Sequence, residues 1–319
     1  MCKNNRVTIA LLFCVACVGF ANAQNIRHSK NEFSIGLAGG ISSLLYKIPE
    51  GKTRVLPGAS LSFNETFFVG RNVGIRLGAG LHFYEASADM SGYYSETSTI
   101  DEQNEELIFR YRLNKYRERQ SMLAVNIPLM LHFRTNDIGY SGSGFYTAFG
   151  LQLSIPFYMG YNVSATNIKT TGYYPEHNVE IEQPAFVGIG TFDKAAYKGR
   201  YGRPEVNLNA CLEFGWKFTL MERMFLYVGI YGEYGLLKRK TIGRNETEPF
   251  IIHNKNEYGE HISMEYTPVL RVFNPAVNSF STGIRIAFAI AGKNTYKKKT
   301  GAVPCPKSFE RPRKKSIFD

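Results

Sequence analysis

Beyond residue 23 the sequence has no apolar run long enough to cross a bilayer as a helix. That excludes a bundle of membrane helices, but not a β-barrel, whose hydrophobicity is diluted by the polar face of every strand. Cysteine is scarce: of five, Cys2, Cys14 and Cys17 lie in the first 23 residues, leaving Cys211 and Cys305. Two cysteines make no disulfide framework. There is no internal repeat of domain-building length, no low-complexity linker and no sign of a second domain. Gly142-Ser143-Gly144 precedes a strand rather than a helix, so it reads as a turn and not a phosphate loop. Asp101, Glu102, Glu105 and Glu106 lack the spacing of a calcium loop. No metal and no cofactor is expected.

What is present is alternation. From Val73 to Tyr84 the odd positions are Val, Ile, Leu, Ala, Leu and Phe, and the even ones Gly, Arg, Gly, Gly, His and Tyr. Side chains of a strand point alternately to its two faces, so this period of two marks a strand between an apolar and a polar medium. Similar segments start at Phe33, Gly58, Leu123, Phe149, Val206, Leu226 and Phe280. About eight long alternating strands predict an all-β, transmembrane, antiparallel up-and-down barrel.

Phe68 to Asn72, Thr135 to Ser143 and Leu220 to Met224 are short links, whereas Asp89 to Glu118, Tyr161 to Arg203 and Thr241 to Pro275 are long. In outer-membrane barrels short turns are periplasmic and long loops extracellular, which places both chain ends in the periplasm of a Gram-negative bacterium. Within the first long link, Leu107 to Arg117 keeps strand character, so a hairpin could extend past the membrane. Residues 1–23 agree: Lys3 and Arg6 precede an apolar stretch from Val7 to Phe20, then Ala21-Asn22-Ala23, the pattern of a cleaved signal peptide. Residues 24–291 then form the barrel and 292–319 a basic periplasmic tail.

A lipocalin-like barrel would have the opposite sense, apolar within and polar outside. Small residues on the polar faces suit a narrow lumen, and aromatics gather at strand ends as in interfacial girdles. Both favour the membrane sense. Arg76, His82, His132, Arg134, Glu213, Lys217, Glu233 and Arg285 then face the lumen, which in an eight-stranded barrel side chains just fill. They read as an internal polar network, with a small solute channel as the alternative.

The Ala-Asn-Ala-Gln end of the leader, Val125-Asn126-Ile127-Pro128-Leu129-Met130-Leu131 and the closing strand Gly283-Ile284-Arg285-Ile286-Ala287-Phe288 resemble the PorT-like outer-membrane β-barrel proteins, a class with an OmpA-like transmembrane fold. The likeness covers roughly 33–291. It implies a barrel and supplies no catalytic residues to carry over, and in some members it implies a link to protein secretion machinery. The long loops and the tail after the last strand depart from that pattern, and the tail is too short for a peptidoglycan-binding domain.

Most of the formal net charge of +11 sits in the tail, including Lys297, Lys298, Lys299, Arg311, Arg313, Lys314 and Lys315. Prolines 304, 306 and 312 argue against a regular helix there. The tail could meet an anionic surface or an acidic envelope protein, or simply be solvated; with no nucleic-acid-binding fold around it, nucleic acid is not expected. Tyr93, Tyr94, Tyr161, Tyr173, Tyr174, Tyr197 and Tyr201 make the long links candidates for binding protein partners, and lipopolysaccharide is the other expected neighbour. Catalysis has one candidate, His82 with Glu85, Ser87 or Asp89 in the manner of a lipid-modifying enzyme, and polar surface is the plainer reading. The expectation is a structural or scaffolding envelope component rather than an enzyme.

Overall fold

The computed structural model describes residues 30–101, 104–135, 143–202, 205–221, 223–237, 239–240, 249–254 and 263–292. The leader, Cys305 and the basic tail from residue 293, with Lys297, Lys298, Lys299, Arg311, Arg313, Lys314 and Lys315, lie outside the described residues.

Eight long strands form the wall: β1 (Asn31–Leu45), β2 (Pro57–Phe68), β3 (Val73–Met90), β4 (Glu106–Arg134), β5 (Gly144–Tyr174), β6 (Asn207–Met221), β7 (Met224–Gly235) and β8 (Ala276–Ala291). Each pairs antiparallel with the next. The ring closes where β8 pairs with β1, from Glu32 opposite Ala291 to Leu45 opposite Asn278. Closure leaves no unpaired edge inside the bilayer, which an open sheet in hydrocarbon would have to leave at several kcal/mol per group.

Small residues let the wall close tightly. Gly40 and Gly283 face each other across the β1–β8 seam, and a Cβ on Gly283 would stand 2.2 Å from the Gly39 carbonyl oxygen.

The outward faces are apolar along one stretch of every strand. Leu37 is 65% exposed, Leu129 55% and Trp216 51%, with Ile35, Phe63, Leu81, Phe149, Phe214, Ile230 and Phe288 in the same belt. On β4 the belt runs from Leu123 to Phe133, about 33 Å of strand at ~3.3 Å per residue. Tilted by ~40° it stands about 25 Å tall, the height of a bilayer's apolar core in such barrels. The barrel spans a membrane. The soluble, lipocalin-like sense is excluded by the side on which the apolar residues lie.

Above the belt the two faces exchange character within the same strands. On β3 the outward residues after Phe83 are Glu85, Ser87 and Asp89, and the inward ones after His82 are Tyr84, Ala86, Ala88 and Met90, all buried. On β4 Arg117 and Arg119 face outward while Tyr116, Tyr111 and Phe109 are buried. The strand continues, but its inside has become a protein core. Tyr84, Phe109, Tyr111, Leu113, Met122, Val163 and Ile168 pack there with Phe250, Ile251, Val269 and Leu270.

The described parts of the long links are therefore folded, and the strand character at Leu107 to Arg117 belongs to β4 as it extends past the belt. β4 and β5 run for 29 and 31 residues, and Tyr93–Ile100, Val179–Ile181 and Gly190–Arg200 add to the sheet they form above the belt. Lys52–Val55 pairs with the upper end of β3. Ile251–Asn254 pairs with Ser263–Tyr266, and this hairpin precedes one helical turn at Val269–Val272. The Phe250 and Val269 amides are bonded to Tyr111 and Glu118 on the inner face of β4, which holds this segment as a cap over the barrel mouth.

Candidate functional site

Inward-facing positions of the eight strands bring the predicted polar residues into three groups. In the first, Glu213 of β6 accepts from Arg76 of β3 at 2.7 Å and from the Tyr146 hydroxyl at 2.8 Å, and lies 3.4 Å from Arg285 of β8. The second Arg76 terminal nitrogen meets His132 Nδ1 at 2.7 Å. All five sit on different strands, so the cluster ties the wall together across its lumen. Arg76 is 5% exposed and Glu213 2%.

The second group lies nearer the mouth. His82 Nε2 meets the Ser42 hydroxyl at 3.1 Å, and its Nδ1 lies 3.2 Å from Asn126 Nδ2 and 3.4 Å from Glu233. Gln152 donates to Glu233 at 3.0 Å, and the Tyr84 ring stacks on His82 with centroids 4.0 Å apart. Glu85 and Asp89 are on the opposite face of β3, bonded to Arg119 and to Arg54 and Arg117. The proposed meeting of His82 with Glu85, Ser87 or Asp89 is thus wrong, because residues an odd number apart on one strand face different media.

The third group closes the turn end. Arg134 pairs with Glu32, donates to the Arg71 carbonyl at 2.9 Å and lies over the Phe68 ring at 3.6 Å. Tyr227 donates to Glu32 at 2.7 Å. Lys217, 2% exposed, approaches the Phe225 ring at 5.0 Å.

Between the first two groups a cavity of about 30 Å³ is lined by Asn64, His82, Asn126, Glu213, Glu233 and Arg285, among others. That is room for about two water molecules at ~10–15 Å³ each. Among the described residues no group of three or more His, Cys, Asp or Glu side chains could hold a metal. Cys211 is buried and free.

A second polar centre lies above the belt and had no place in the sequence reading. Glu118 is fully buried in the apolar core. It accepts from the Tyr116 hydroxyl at 2.6 Å, the Tyr201 hydroxyl at 2.5 Å, Gln120 at 2.8 Å and the Val269 amide at 2.8 Å. Tyr46 in turn donates to Gln120 at 2.8 Å. Burial pushes the Glu118 carboxyl above the usual carboxylate range, against the lowering by its donors. It also raises the Tyr116 and Tyr201 hydroxyls, and the nearby Glu118 adds to both shifts.

Of the loop tyrosines proposed as contact area, Tyr161 and Tyr201 are instead buried in the upper core: β5 turns Tyr161 inward, and Tyr201, just after Gly190–Arg200, is held by its bond to Glu118. Tyr93 packs on Phe250 and Phe273. Tyr173 lies under Arg110 at 4.3 Å. Tyr94 and Tyr197 remain exposed. Glu32 and Glu118 were the residues missed. Extending the parity of β1 and β4 by a few positions places both inward; the slips at Asn114 and Asn167, and at Phe157 and Tyr158, disturb the pattern only elsewhere.

No protein-family model matches the chain, and no curated protein does. Among solved structures it is similar to the outer membrane protein OprG from Pseudomonas aeruginosa, at 10% identity and a TM-score of 0.34 over 84% of this chain and all of that one. It is similar also to Ail, the attachment invasion locus protein of Yersinia pestis, in complex with the heparin analogue sucrose octasulfate: 8% identity, TM-score 0.25, 81% of this chain and 99% of that one. A second Ail structure gives 9% identity and 0.23 over the same shares. Scores of this size transfer no function; the barrel and its membrane belt rest on the pairings and exposures above.

Proposed function

We propose that this protein is an outer-membrane anchor whose barrel holds a rigid, capped platform at the cell surface, where it serves as a scaffold for an envelope complex rather than as a channel or an enzyme. The observation that carries this reading is the inversion of inside and outside along single strands. β4 continues past the belt from Ser121 to Glu106, about 50 Å of strand at ~3.3 Å per residue. A barrel that only needed to persist in the membrane has no use for that length.

The filled lumen supports an anchor. Arg76, Glu213, His132 and Arg285 occupy its middle, and the cavity beside them has room for about two waters. The cap, tied by Glu118 and Tyr111, covers the mouth. Residues 31 and 292 meet at the rim of short turns, where the Gly292 amide donates to the Asn31 carbonyl. With that rim periplasmic, the platform is extracellular and the basic residues after Gly292 are on the side of a periplasmic partner. The resemblance to PorT-like barrels fits a place in secretion or envelope assembly.

Cross-linking in intact cells, followed by identification of what the platform captures, tests the scaffold. Reproducible capture of one protein supports it. Steady unitary currents from the full chain in planar bilayers would overturn it in favour of a channel.

A further inference from the structure

The platform's outer wall carries a band of positive charge directly above the apolar belt, on the side formed by β3, β4 and β5. In one lateral register row Arg54 lies opposite Ser87, Ser87 opposite Arg119, Arg119 opposite Asn162, and Asn162 opposite Lys198. Two residues closer to the belt, Glu85, Ser121, Gly160 and Arg200 form the next row. Phe83 and Leu123 of the belt follow.

Two carboxylates lie within this band, and both are engaged. Asp89 accepts from Arg117 Nε at 2.6 Å and pairs with Arg54 Nε at 2.8 Å, and Glu85 holds Arg119. These contacts to Arg54 and Arg117 use the Nε edge, and the side chains remain 61% and 65% exposed, so their terminal nitrogens are open to a further acceptor. Lys198 and Arg200 are exposed. The Arg200 guanidinium lies 5.2 Å over the Tyr158 ring. Tyr158 takes that position across Gly160, where a Cβ would stand 2.5 Å from its hydroxyl.

We infer that this band is a binding surface for the phosphates of anionic lipid headgroups in the leaflet at that rim. Five strands at ~4.8 Å spacing make the row about 19 Å wide, enough for more than one headgroup. Two and four residues above Leu123, on a tilted strand, correspond to about 5 and 10 Å of height, so the lower row lies within the ~5–7 Å headgroup layer outside the hydrocarbon and the upper row just above it, where long basic side chains reach back to the phosphates. Guanidinium groups match phosphate geometry by two-point donation, and Tyr158 at the boundary suits an interface that is apolar below and wet above. The inference rests on the membrane reading of the belt.

The test uses the full chain in detergent micelles, with native mass spectrometry counting bound phosphatidylglycerol against phosphatidylcholine, and with inorganic phosphate as the soluble arm. Phosphatidylglycerol should bind preferentially, and added salt should weaken it. Replacing Lys198 and Arg200 by Gln removes no carboxylate's partner among the described residues, and should cut the preference by about thirty-fold, in line with the contribution of two basic residues near an anionic surface. Lys169→Gln, higher on the platform, should leave it unchanged. Equal binding of the two lipids, an unchanged preference in the double variant, or competition by inorganic phosphate at equal concentration would overturn the headgroup site. Trp216, the one tryptophan in the chain, lies in the belt and reports insertion separately through quenching by lipids with brominated chains. Strong quenching with no lipid preference overturns the headgroup site alone. No quenching overturns the membrane reading, and the headgroup site with it.

Discussion

The lower and upper halves of β3, β4 and β5 are built from the same strands, yet they solve opposite problems. Below Phe83 and Leu123 the outside is apolar and the inside holds Arg76, His132 and Glu213; above them the outside holds Arg117 and Arg119 and the inside Tyr111, Phe109 and Val163. In lipid, apolar surface gains nothing by turning inward, so polar groups are enclosed where they can satisfy one another. In water the hydrophobic effect returns, at roughly 25 cal/mol per Å² of apolar surface buried, and the same sheet folds its apolar side over a core. The two halves also differ in how they hold a fully enclosed carboxyl. Glu213 is matched by two arginines, whereas Glu118 is held by neutral donors and by the backbone of the cap.

That contrast can be broken most sharply at Glu213. Glu213→Ala leaves Arg76 and Arg285 enclosed without their carboxylate, and should cost about 3–5 kcal/mol of barrel stability, read from thermal or urea unfolding in detergent. A loss below about 1 kcal/mol would mean the network is solvated rather than enclosed.

A charge placed on the outside should distinguish the two media. Leu129→Arg, in the middle of the belt, should cost about 2–4 kcal/mol in refolding into bilayers. Ser164→Arg, outward on β5 above the belt, should stay within about 0.5 kcal/mol. Equal costs would place the membrane boundary elsewhere.

Glu118→Ala strands the Tyr116 and Tyr201 hydroxyls and the Val269 amide, and should loosen the cap by about 2–3 kcal/mol. Hydrogen exchange at 249–254 and 263–275 should rise while global unfolding of the barrel stays nearly fixed. Coupled loss of both would show that the halves fold as one unit.

A smaller effect is expected from pH. The folded Glu118 carboxyl binds its proton more tightly than the unfolded one, so its contribution to cap stability is full below the ordinary carboxylate range. It is lost as pH rises through the raised folded value. Cap exchange should therefore slow on mild acidification across that window in the wild type, and this slowing should be absent in Glu118→Gln. The smallest change belongs to Lys169→Ala, which removes an exposed pair with Glu182 at 2.9 Å and should alter stability by less than about 0.5 kcal/mol.

Much of the barrel was legible in its amino acids. The expected segments starting at Phe33, Gly58, Val73, Leu123, Phe149, Val206, Leu226 and Phe280 all fall in the eight wall strands, because each must face lipid on one side and the lumen on the other. Lumen positions such as Arg76 and Glu213 could be placed by parity alone. Their grouping could not. That Glu213 meets Arg76 and Arg285 rather than Lys217 depends on the register between strands far apart in sequence, and His82 reaches Glu233 through closure of the ring. The platform was harder to read because the parity slips at Asn114 and Tyr158 fall where the faces exchange roles, so that a continuing strand resembled a loop.

Sequence by itself determined that about eight long strands cross the membrane and, within the belt, which residues face lipid and which face inward, since a two-residue period and the apolarity of one phase are local properties of the chain. Tertiary structure decided the rest. Where the chain leaves the lipid, which carboxylate finds which cation, and how 249–254 and 263–275 cap the mouth depend on ring closure, because only the closed register sets the distances between side chains that local sequence leaves independent.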